Sequence, residues 1–416
     1  MRVAFFLLLS LSLSFSLSLE ELLKFAEEKN PALQARRHAV QSARLNLQAE
    51  GQLYYPEVFG TYRLSLQAQR QSFNLPAFSI QSSKRSYNQL QLGLRQTLYD
   101  GGLRSSLVDI SRSSLRIAQE ELEEKRLEVR LAVVKAFLAV LSAGELIEVV
   151  KKQREAVRAD LSQREAFFRE GLVAVTDVLQ ARVRLAEVER DLRRAQGDYL
   201  VALADLSRLT GLEEEKLKSL LPPKVEPAVP VLEELLQQAL KNRPLLKATE
   251  ERKKAVTLRR KAELSQFYPK VFLEASYNYS DQNPLISPKG ILVLGAGVSL
   301  NFQSLAPYYR VLAIEEEKKS LSEELRDLRE SVALGVRVAY ENLHTAKDNL
   351  RVAEESLRFA EEFYRLSLEQ YRNQIISGTE LLQAEASLTQ ARKARVLAYY
   401  EFLKAYYELL RQVGSL

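Results

Sequence analysis

Long stretches of the chain carry apolar residues at alternating intervals of three and four positions, the spacing that predicts coiled-coil helices. This spacing runs through residues 115–150, 181–206, 339–364 and 384–409. Residues 103–170 contain no proline and one interior glycine, Gly144. A helix of 65 residues is roughly 100 Å long and has no compact core to lie on. We therefore expect neighbouring long helices to bury one another, with alanine-rich seams that let their backbones approach closely.

Four shorter runs alternate apolar and polar residues with a period of two, which predicts β-strands. They begin near Val58, Gln89, Val271 and Leu292. Each run is near ten residues, a length that suits a tilted strand crossing a bilayer. The polar positions include Arg63, Arg95 and Glu274. Because these charges would be costly against lipid, we expect all three to line a water-filled lumen.

Four strands are too few to close a membrane barrel, for which about eight is the practical minimum. Open edges in lipid would leave backbone groups unpaired. A soluble β-sandwich with one solvent-exposed face is the alternative, but the flanking helices are too long to cover so small a sheet. We therefore expect several chains to share one barrel. Three chains in cyclic symmetry would supply twelve strands.

The sequence consists of two similar halves. Residues 19–59 match residues 232–272 at an offset of 213 without a gap, and further along the chain the offset is 203. The second half therefore lacks about ten residues before its long helices, which a shorter loop explains. Four prolines between Pro222 and Pro230 cannot continue a helix. We predict a first repeat at 19–216, an extended linker at 217–231 and a second repeat at 232–416.

The amino terminus, residues 1–18, has the features of a secretory signal peptide. It combines Arg2, a short apolar core and a small-x-small end at Ser16 and Ser18, after which we expect cleavage. A membrane anchor is the alternative, although serines dilute the apolar run. Beyond this segment no apolar run approaches 18 residues, so we expect any membrane entry to use strands.

The composition argues against an enzyme. The chain has no cysteine and two distant histidines, His38 and His344, which excludes thiolate chemistry and disfavours zinc sites and Ser-His triads. We found no glycine-rich phosphate-binding loop, and we expect no catalytic residue, no cofactor and no resident metal. Lys and Arg number 60 against 54 Asp and Glu, and these charges are finely mixed. Nucleic acid is therefore not an expected partner.

These features make the chain resemble the TolC-type outer-membrane efflux and secretion duct family. The resemblance rests on the duplicated helix–strand–strand–helix–helix order, on Tyr55-Pro56 and Tyr268-Pro269 before strands, and on Leu98-Tyr99-Asp100-Gly101-Gly102. Its most specific part is the helical-turn motif over residues 171–181. The resemblance implies a mostly α fold with a β-barrel portion. In it, a trimeric 12-stranded outer-membrane barrel is continuous with a 12-helix coiled-coil periplasmic tunnel.

The resemblance implies a passive outer-membrane exit duct of a tripartite efflux pump or type I secretion system. The duct would open at its periplasmic helical end to export small molecules or proteins. Its expected partners are two further copies of the chain, outer-membrane lipid, a periplasmic adaptor (membrane fusion protein) and an inner-membrane RND, ABC or MFS transporter. The alternative is a periplasmic coiled-coil scaffold without a pore, which would not insert into a membrane.

The resemblance also implies an aperture at the far end of the tunnel. The positions matching the family's aperture residues are Asp177, Tyr371, Glu380 and Gln383. Three copies of Glu380 would form a negative constriction whose mutual repulsion raises proton affinity. A first-turn acid that stabilises the helix dipole is the alternative for Glu380. Gln383 lacks the charge that similar proteins carry.

The adaptor is expected to dock at the two helical turns. The turn residues implied are Gly171, Leu172, Val173 and Thr176 in the first half and Ser377, Gly378 and Thr379 in the second. Gln374 and Ile376 depart from the family pattern, so an Asp–Arg lock of the aperture is not expected at that point. Arg372 is the candidate substitute.

Overall fold

The computed structural model describes residues 17–223, 231–301, 304–373 and 375–416. Nearly all of the predicted signal peptide, residues 224–230 of the predicted linker, and Gln374 lie outside the described residues. By backbone contacts the chain divides into two compact units. The first takes residues up to Arg37, Glu121–Leu246 and Leu328–Leu416, and the second takes His38–Glu120 and Lys247–Asp327.

Helices dominate the chain, as the periodicity predicts. They are α1 (Leu19–Lys29), α2 (Pro31–Gly51), α3 (Leu103–Arg169), α4 (Val175–Thr210), α5 (Leu232–Asn242), α6 (Pro244–Leu264), α7 (Ala306–Arg372) and α8 (Gly378–Val413). Both α3 and α7 have 67 residues, and both α4 and α8 have 36. Helices α4 and α8 are followed by the C-cap residues Gly211 and Gly414, whose φ angles of 68° and 83° favour glycine.

The apolar seam predicted along α3 is only part of its buried surface. Val129, Ala136 and Val150 are buried as expected, but Ala139 is exposed. Val133 and Phe137, which the three-four spacing leaves out, are fully buried. They belong to a core that also contains residues of α1, α4 and α8. This part of α3 therefore buries a wider apolar face than the narrow seam of a two-helix coiled coil.

The second unit contains an antiparallel four-stranded sheet. Its strands are β1 (Glu57–Leu66), β4 (Ser86–Tyr99), β5 (Lys270–Ser280) and β6 (Gly290–Ser299), in the order β1-β4-β5-β6. These are the four predicted strands, although β4 has 14 residues rather than about ten. Strand β1 pairs with β4 and β6 pairs with β5, so each outer strand has one unpaired edge in this sheet.

A small hairpin, β2 (Ser72–Leu75) and β3 (Phe78–Gln81), lies between β1 and β4 and was not expected from the sequence. The connection that contains it spans residues 67–85, whereas β5 and β6 are joined by residues 281–289. The first connection is therefore the longer by ten residues.

Within the described ranges, no helix combines the length and the apolar content needed to span a bilayer.

Candidate functional site

The turn between α3 and α4 reverses the chain at Gly171, where φ is 74°. Helix α4 then begins with Ala174 as its N-cap residue. The Asp177 carboxylate accepts a hydrogen bond from the backbone N–H of Ala174 over 3.2 Å. Leu172 is well exposed in the turn, and Thr176 is exposed as well. Asp177 therefore fixes the first turn of α4, while the apolar tip remains open to a partner.

The turn between α7 and α8 ends in a capping box made by Ser377 and Glu380. Glu380 Oε2 accepts from the Ser377 backbone N–H at 2.7 Å and from its hydroxyl at 2.9 Å. The Glu380 N–H in turn donates to Ser377 Oγ at 3.3 Å. Hydrogen bonds from the Ser377 backbone and hydroxyl lower the pKa of Glu380. In a single chain Glu380 thus acts as a helix cap, and its proton affinity shifts opposite to that expected for a trimeric ring.

Arg164, near the end of α3, reaches across to the start of α8. Its Nε donates to Asp160 Oδ2 at 2.8 Å, and its Nη2 donates to the backbone carbonyl of Gly378 at 3.1 Å. Its side chain is only 4% exposed. The sequence pattern did not indicate this arginine, because a charged residue on a long helix predicts a solvated surface. Arg164 thus contacts the second turn within one chain, while Arg372 as the partner in an aperture lock stays a prediction.

Tyr371 lies close to the same charges. Burial raises the pKa of its hydroxyl, Arg164 opposes that shift, and Asp160 and Asp177 reinforce it. The structure therefore brings two predicted aperture residues, Tyr371 and Asp177, into one electrostatic neighbourhood with Arg164. Gln383 stays exposed one turn into α8, and its backbone carbonyl accepts a hydrogen bond from Ser387.

The three charges predicted for the polar face of the sheet do share one face. Arg95 lies opposite Glu274 in the ladder between β4 and β5, and their side chains form an ion pair at 2.7 Å. The Arg95 guanidinium also lies over the rings of Phe59 and Phe272 at 5.6 and 5.1 Å. Arg63 is further along the sheet, where it borders a cleft of about 440 Å³.

The opposite face of the sheet is apolar and open. Its exposed side chains are Val58, Tyr62, Leu64, Leu66, Leu92, Leu94, Leu273, Tyr277, Leu292, Leu294 and Val298. A continuous apolar face of this extent needs an apolar medium or a partner to cover it.

Among the described residues, no group of three or more His, Asp or Glu side chains is placed to hold a metal ion.

Comparison with known proteins gives a match over both halves of the chain. A family model described as "Outer membrane efflux protein" matches residues 22–212 and 235–415. The chain is 26% identical over 187 residues to the cobalt-zinc-cadmium resistance protein CzcC of Cupriavidus metallidurans, covering 44% of this chain and 41% of that protein. It is 31% identical over 128 residues to the outer membrane protein TolC of Vibrio cholerae, covering 30% and 28%. The matched part thus spans less than half the length of either relative.

Solved structures share the fold over nearly the whole chain. The outer membrane protein VceC from Vibrio cholerae matches with a TM-score of 0.79 at 17% identity, covering 95% of this chain and 96% of that one. The outer-membrane channel OprN matches with a TM-score of 0.77 at 18% identity, covering 95% and 90%. CusC matches with a TM-score of 0.79 at 16% identity, covering 95% and 92%. At these identities the likeness concerns the fold.

Proposed function

The chain belongs to the outer membrane efflux protein family, and on that premise we propose that it is a passive exit duct of a tripartite efflux pump or a type I secretion system. The protein lies in the outer membrane, with its long helices extending into the periplasm. The duct carries no catalytic centre. An inner-membrane transporter of the RND, ABC or MFS type supplies the energy through a periplasmic adaptor, and the exported cargo is a small molecule or a protein.

The four-stranded sheet is the observation that carries this proposal. One face is apolar and exposed, the other holds Arg63, Arg95 and Glu274, and both outer strands have an unpaired edge. Lipid would cover the apolar face, and strands of neighbouring chains would pair with β1 and β6. Three chains sharing one wall give twelve strands around a polar lumen, which is why we propose a homotrimer.

The matching order of elements in the two halves supports an internal duplication. Each half runs through two short helices, two strands of the main sheet, a 67-residue helix and a 36-residue helix. Three copies supply twelve long helices, which we propose form the wall of the periplasmic tunnel. In this arrangement 19–216 and 232–416 are the two repeats, and 217–231 links them.

We place the aperture of the tunnel at the two helical turns. Asp177, Tyr371, Glu380 and Gln383 are its proposed lining, and closure depends on how tightly the two turns pack. The adaptor docks on the turn residues Gly171, Leu172, Val173 and Thr176 and on Ser377, Gly378 and Thr379. The exposed apolar side chain of Leu172 supports such a contact.

Fractionation of cells that express the protein tests the proposal. We expect the chain in the outer-membrane fraction as a heat-resistant trimer, and channel conductance after reconstitution in a planar bilayer. Recovery in the soluble periplasmic fraction would instead support a coiled-coil scaffold without a pore.

Ion selectivity tests the lumen residues separately. Arg95→Gln leaves Glu274 without its partner, so cation selectivity of the channel should rise, whereas Glu274→Gln should lower it. The double variant should return towards the wild type. Unchanged selectivity in both single variants would place these side chains outside the conduction path.

A further inference from the structure

Helix α8 contains a buried carboxyl group that plays no part in the capping box or in the contact made by Arg164. Glu385 is only 7% exposed. Its Oε1 accepts a hydrogen bond from the Thr389 hydroxyl at 2.9 Å. Its Oε2 is buried and has no hydrogen-bond partner. A buried carboxylate oxygen without a donor is unusual, because buried polar groups are nearly always hydrogen-bonded.

The groups facing Glu385 come from the other three long helices. From α3, the Gln153 amide interacts with the carboxyl and Asp160 adds a second negative charge. From α4, the Arg184 guanidinium lies 3.9 Å from Oε2 while also bonding Glu187 at 3.1 Å. From α7, Tyr364 is close enough for Glu385 to raise the pKa of its hydroxyl.

The cluster has too few donors for its acceptors. Gln153 is only 5% exposed, and its Oε1 is also buried without a partner. The Gln153 amide and the Arg184 guanidinium, 3.9 Å from Glu385 Oε2, both act on the carboxyl, but neither gives Oε2 a hydrogen bond of ordinary geometry. Arg184 is also shared with Glu187. One proton on Glu385 would convert an acceptor into a donor and remove the buried negative charge. Burial raises the pKa of Glu385, and Asp160 adds to that shift against the opposing effects of Thr389, Arg184 and Gln153.

We propose that Glu385 is a proton-binding site of the helical bundle, whose protonated form holds α3, α4 and α8 together and whose ionisation loosens their packing beside the two turns. The site itself rests on the geometry of one chain. Its consequence for transport rests on the proposed function: the periplasmic end of the duct opens more readily at neutral than at acidic pH.

The sign of the pH dependence follows from the direction of the shift. An acid whose folded-state pKa is raised binds its proton more tightly in the folded chain than in the unfolded chain. Its stabilising contribution is therefore complete below its ordinary value of 4.5 and is lost as the pH rises through the folded-state pKa. Ionised carboxylates elsewhere that accept hydrogen bonds, such as Glu380, behave in the opposite sense.

Hydrogen–deuterium exchange on the intact protein in lipid nanodiscs tests the site. Protection of peptides covering residues 378–392, corrected for intrinsic exchange, should fall between about pH 4.5 and about pH 8. The fall should be roughly tenfold per unit of upward pKa shift. Glu385→Gln, a neutral isostere, should remain protected throughout. The control Glu401→Gln, an exposed acid of the same helix paired with Lys404, should behave as the wild type.

A second variant tests proton binding even if Glu385→Gln fails to assemble. Thr389→Val removes the hydroxyl that stabilises the ionised carboxyl while keeping the shape, so the midpoint of the protection loss should move to higher pH. A flat wild-type profile, a pH-dependent loss retained in Glu385→Gln, or a midpoint that Thr389→Val leaves unmoved would overturn the proposal.

Planar-bilayer conductance across the same pH range separates the site from the function. Conductance that rises with pH in the wild type and stays low in Glu385→Gln supports both. If exchange depends on pH as expected but no channel is seen, the proposed function fails and the proton site stands. If channels open while exchange is flat, the site fails and the duct stands.

Discussion

The guanidinium of Arg164 donates a hydrogen bond to the backbone carbonyl of Gly378, a residue 214 positions further along the chain. This contact joins the end of α3 to the first residue of α8. A Cβ added at Gly378 would lie 2.7 Å from Arg164 Nη2, closer than real side-chain contacts allow. Gly378 is therefore the residue that gives Arg164 room to reach the second turn. Since the two turns belong to different halves, this contact holds the proposed aperture together within one chain.

Gly378→Ala should weaken this link. The new methyl group displaces the guanidinium from the Gly378 carbonyl, so we expect the free energy of unfolding to fall by about 1 kcal/mol. Gly197→Ala is the matched control, because Gly197 lies in α4 with open space around it. That substitution should stabilise the helix by roughly 0.5–1 kcal/mol. Thermal melts of the two purified variants make the comparison, and equal shifts in the same direction would contradict the packing described.

Arg164 and Asp160 should show strong coupling in a double-mutant cycle. Arg164→Gln leaves Asp160 largely buried without its partner, and breaking a buried pair in this way costs about 3–5 kcal/mol. Asp160→Asn should cost less, since Arg164 keeps the Gly378 carbonyl as an acceptor. The double variant should be more stable than the sum of the two single losses predicts. Additive losses would mean that the two side chains act independently.

Periodicity in the sequence was sufficient to predict the long helices and the four strands of the main sheet. It could not indicate Arg164 or Glu385, because three-four spacing describes the average face of a helix and not the point where another helix crosses it. Both residues look like members of a solvated charged surface. The hairpin β2–β3 was missed for a related reason, since strands of four residues are too short for alternation to be distinctive.

The capping box at Ser377 and Glu380 was partly readable in advance. A serine followed three residues later by glutamate at the start of an apolar run is a helix start signal, and a first-turn acid was the alternative expected for Glu380. The sequence of one chain does not show whether repulsion among copies of Glu380 outweighs these local hydrogen bonds. Repulsion among symmetry-related copies would act only in an assembly, whereas the hydrogen bonds from Ser377 act within each chain.

Ser377→Ala should destabilise the start of α8 in a pH-dependent way. At neutral pH the lost N-cap should cost about 1 kcal/mol. The pKa of Glu380 is lowered, so its contribution is present above its ordinary value of 4.5 and is lost as the pH falls through the folded-state pKa. The wild type should therefore lose more stability than the variant on acidification, and the gap between their melting temperatures should narrow.

Ser387→Ala is the control for this comparison, since Ser387 lies on the same helix and its hydroxyl donates to the Gln383 carbonyl. The difference in melting temperature between Ser387→Ala and the wild type should not change with pH. If the difference in melting temperature between Ser377→Ala and the wild type stays constant from about pH 7 to about pH 3, the pKa of Glu380 does not depend on Ser377.

Leu294 and Gly295 are neighbours on β6 that face opposite sides of the sheet. An arginine introduced at each position should show which side contacts lipid and which side lines the lumen. Leu294 is 74% exposed on the apolar face, where it pairs with Ala275 of β5. Gly295 lies opposite Glu274 on the polar face, with open space where a side chain would start. Leu294→Arg should cost about 2–4 kcal/mol if that face meets the bilayer midplane, and should reduce the heat-resistant trimer in the outer-membrane fraction. Gly295→Arg adds the same charge beside Glu274 and should assemble as the wild type does. If both variants assemble equally well, the apolar face does not contact lipid, because a charge there would carry no penalty that the polar face lacks.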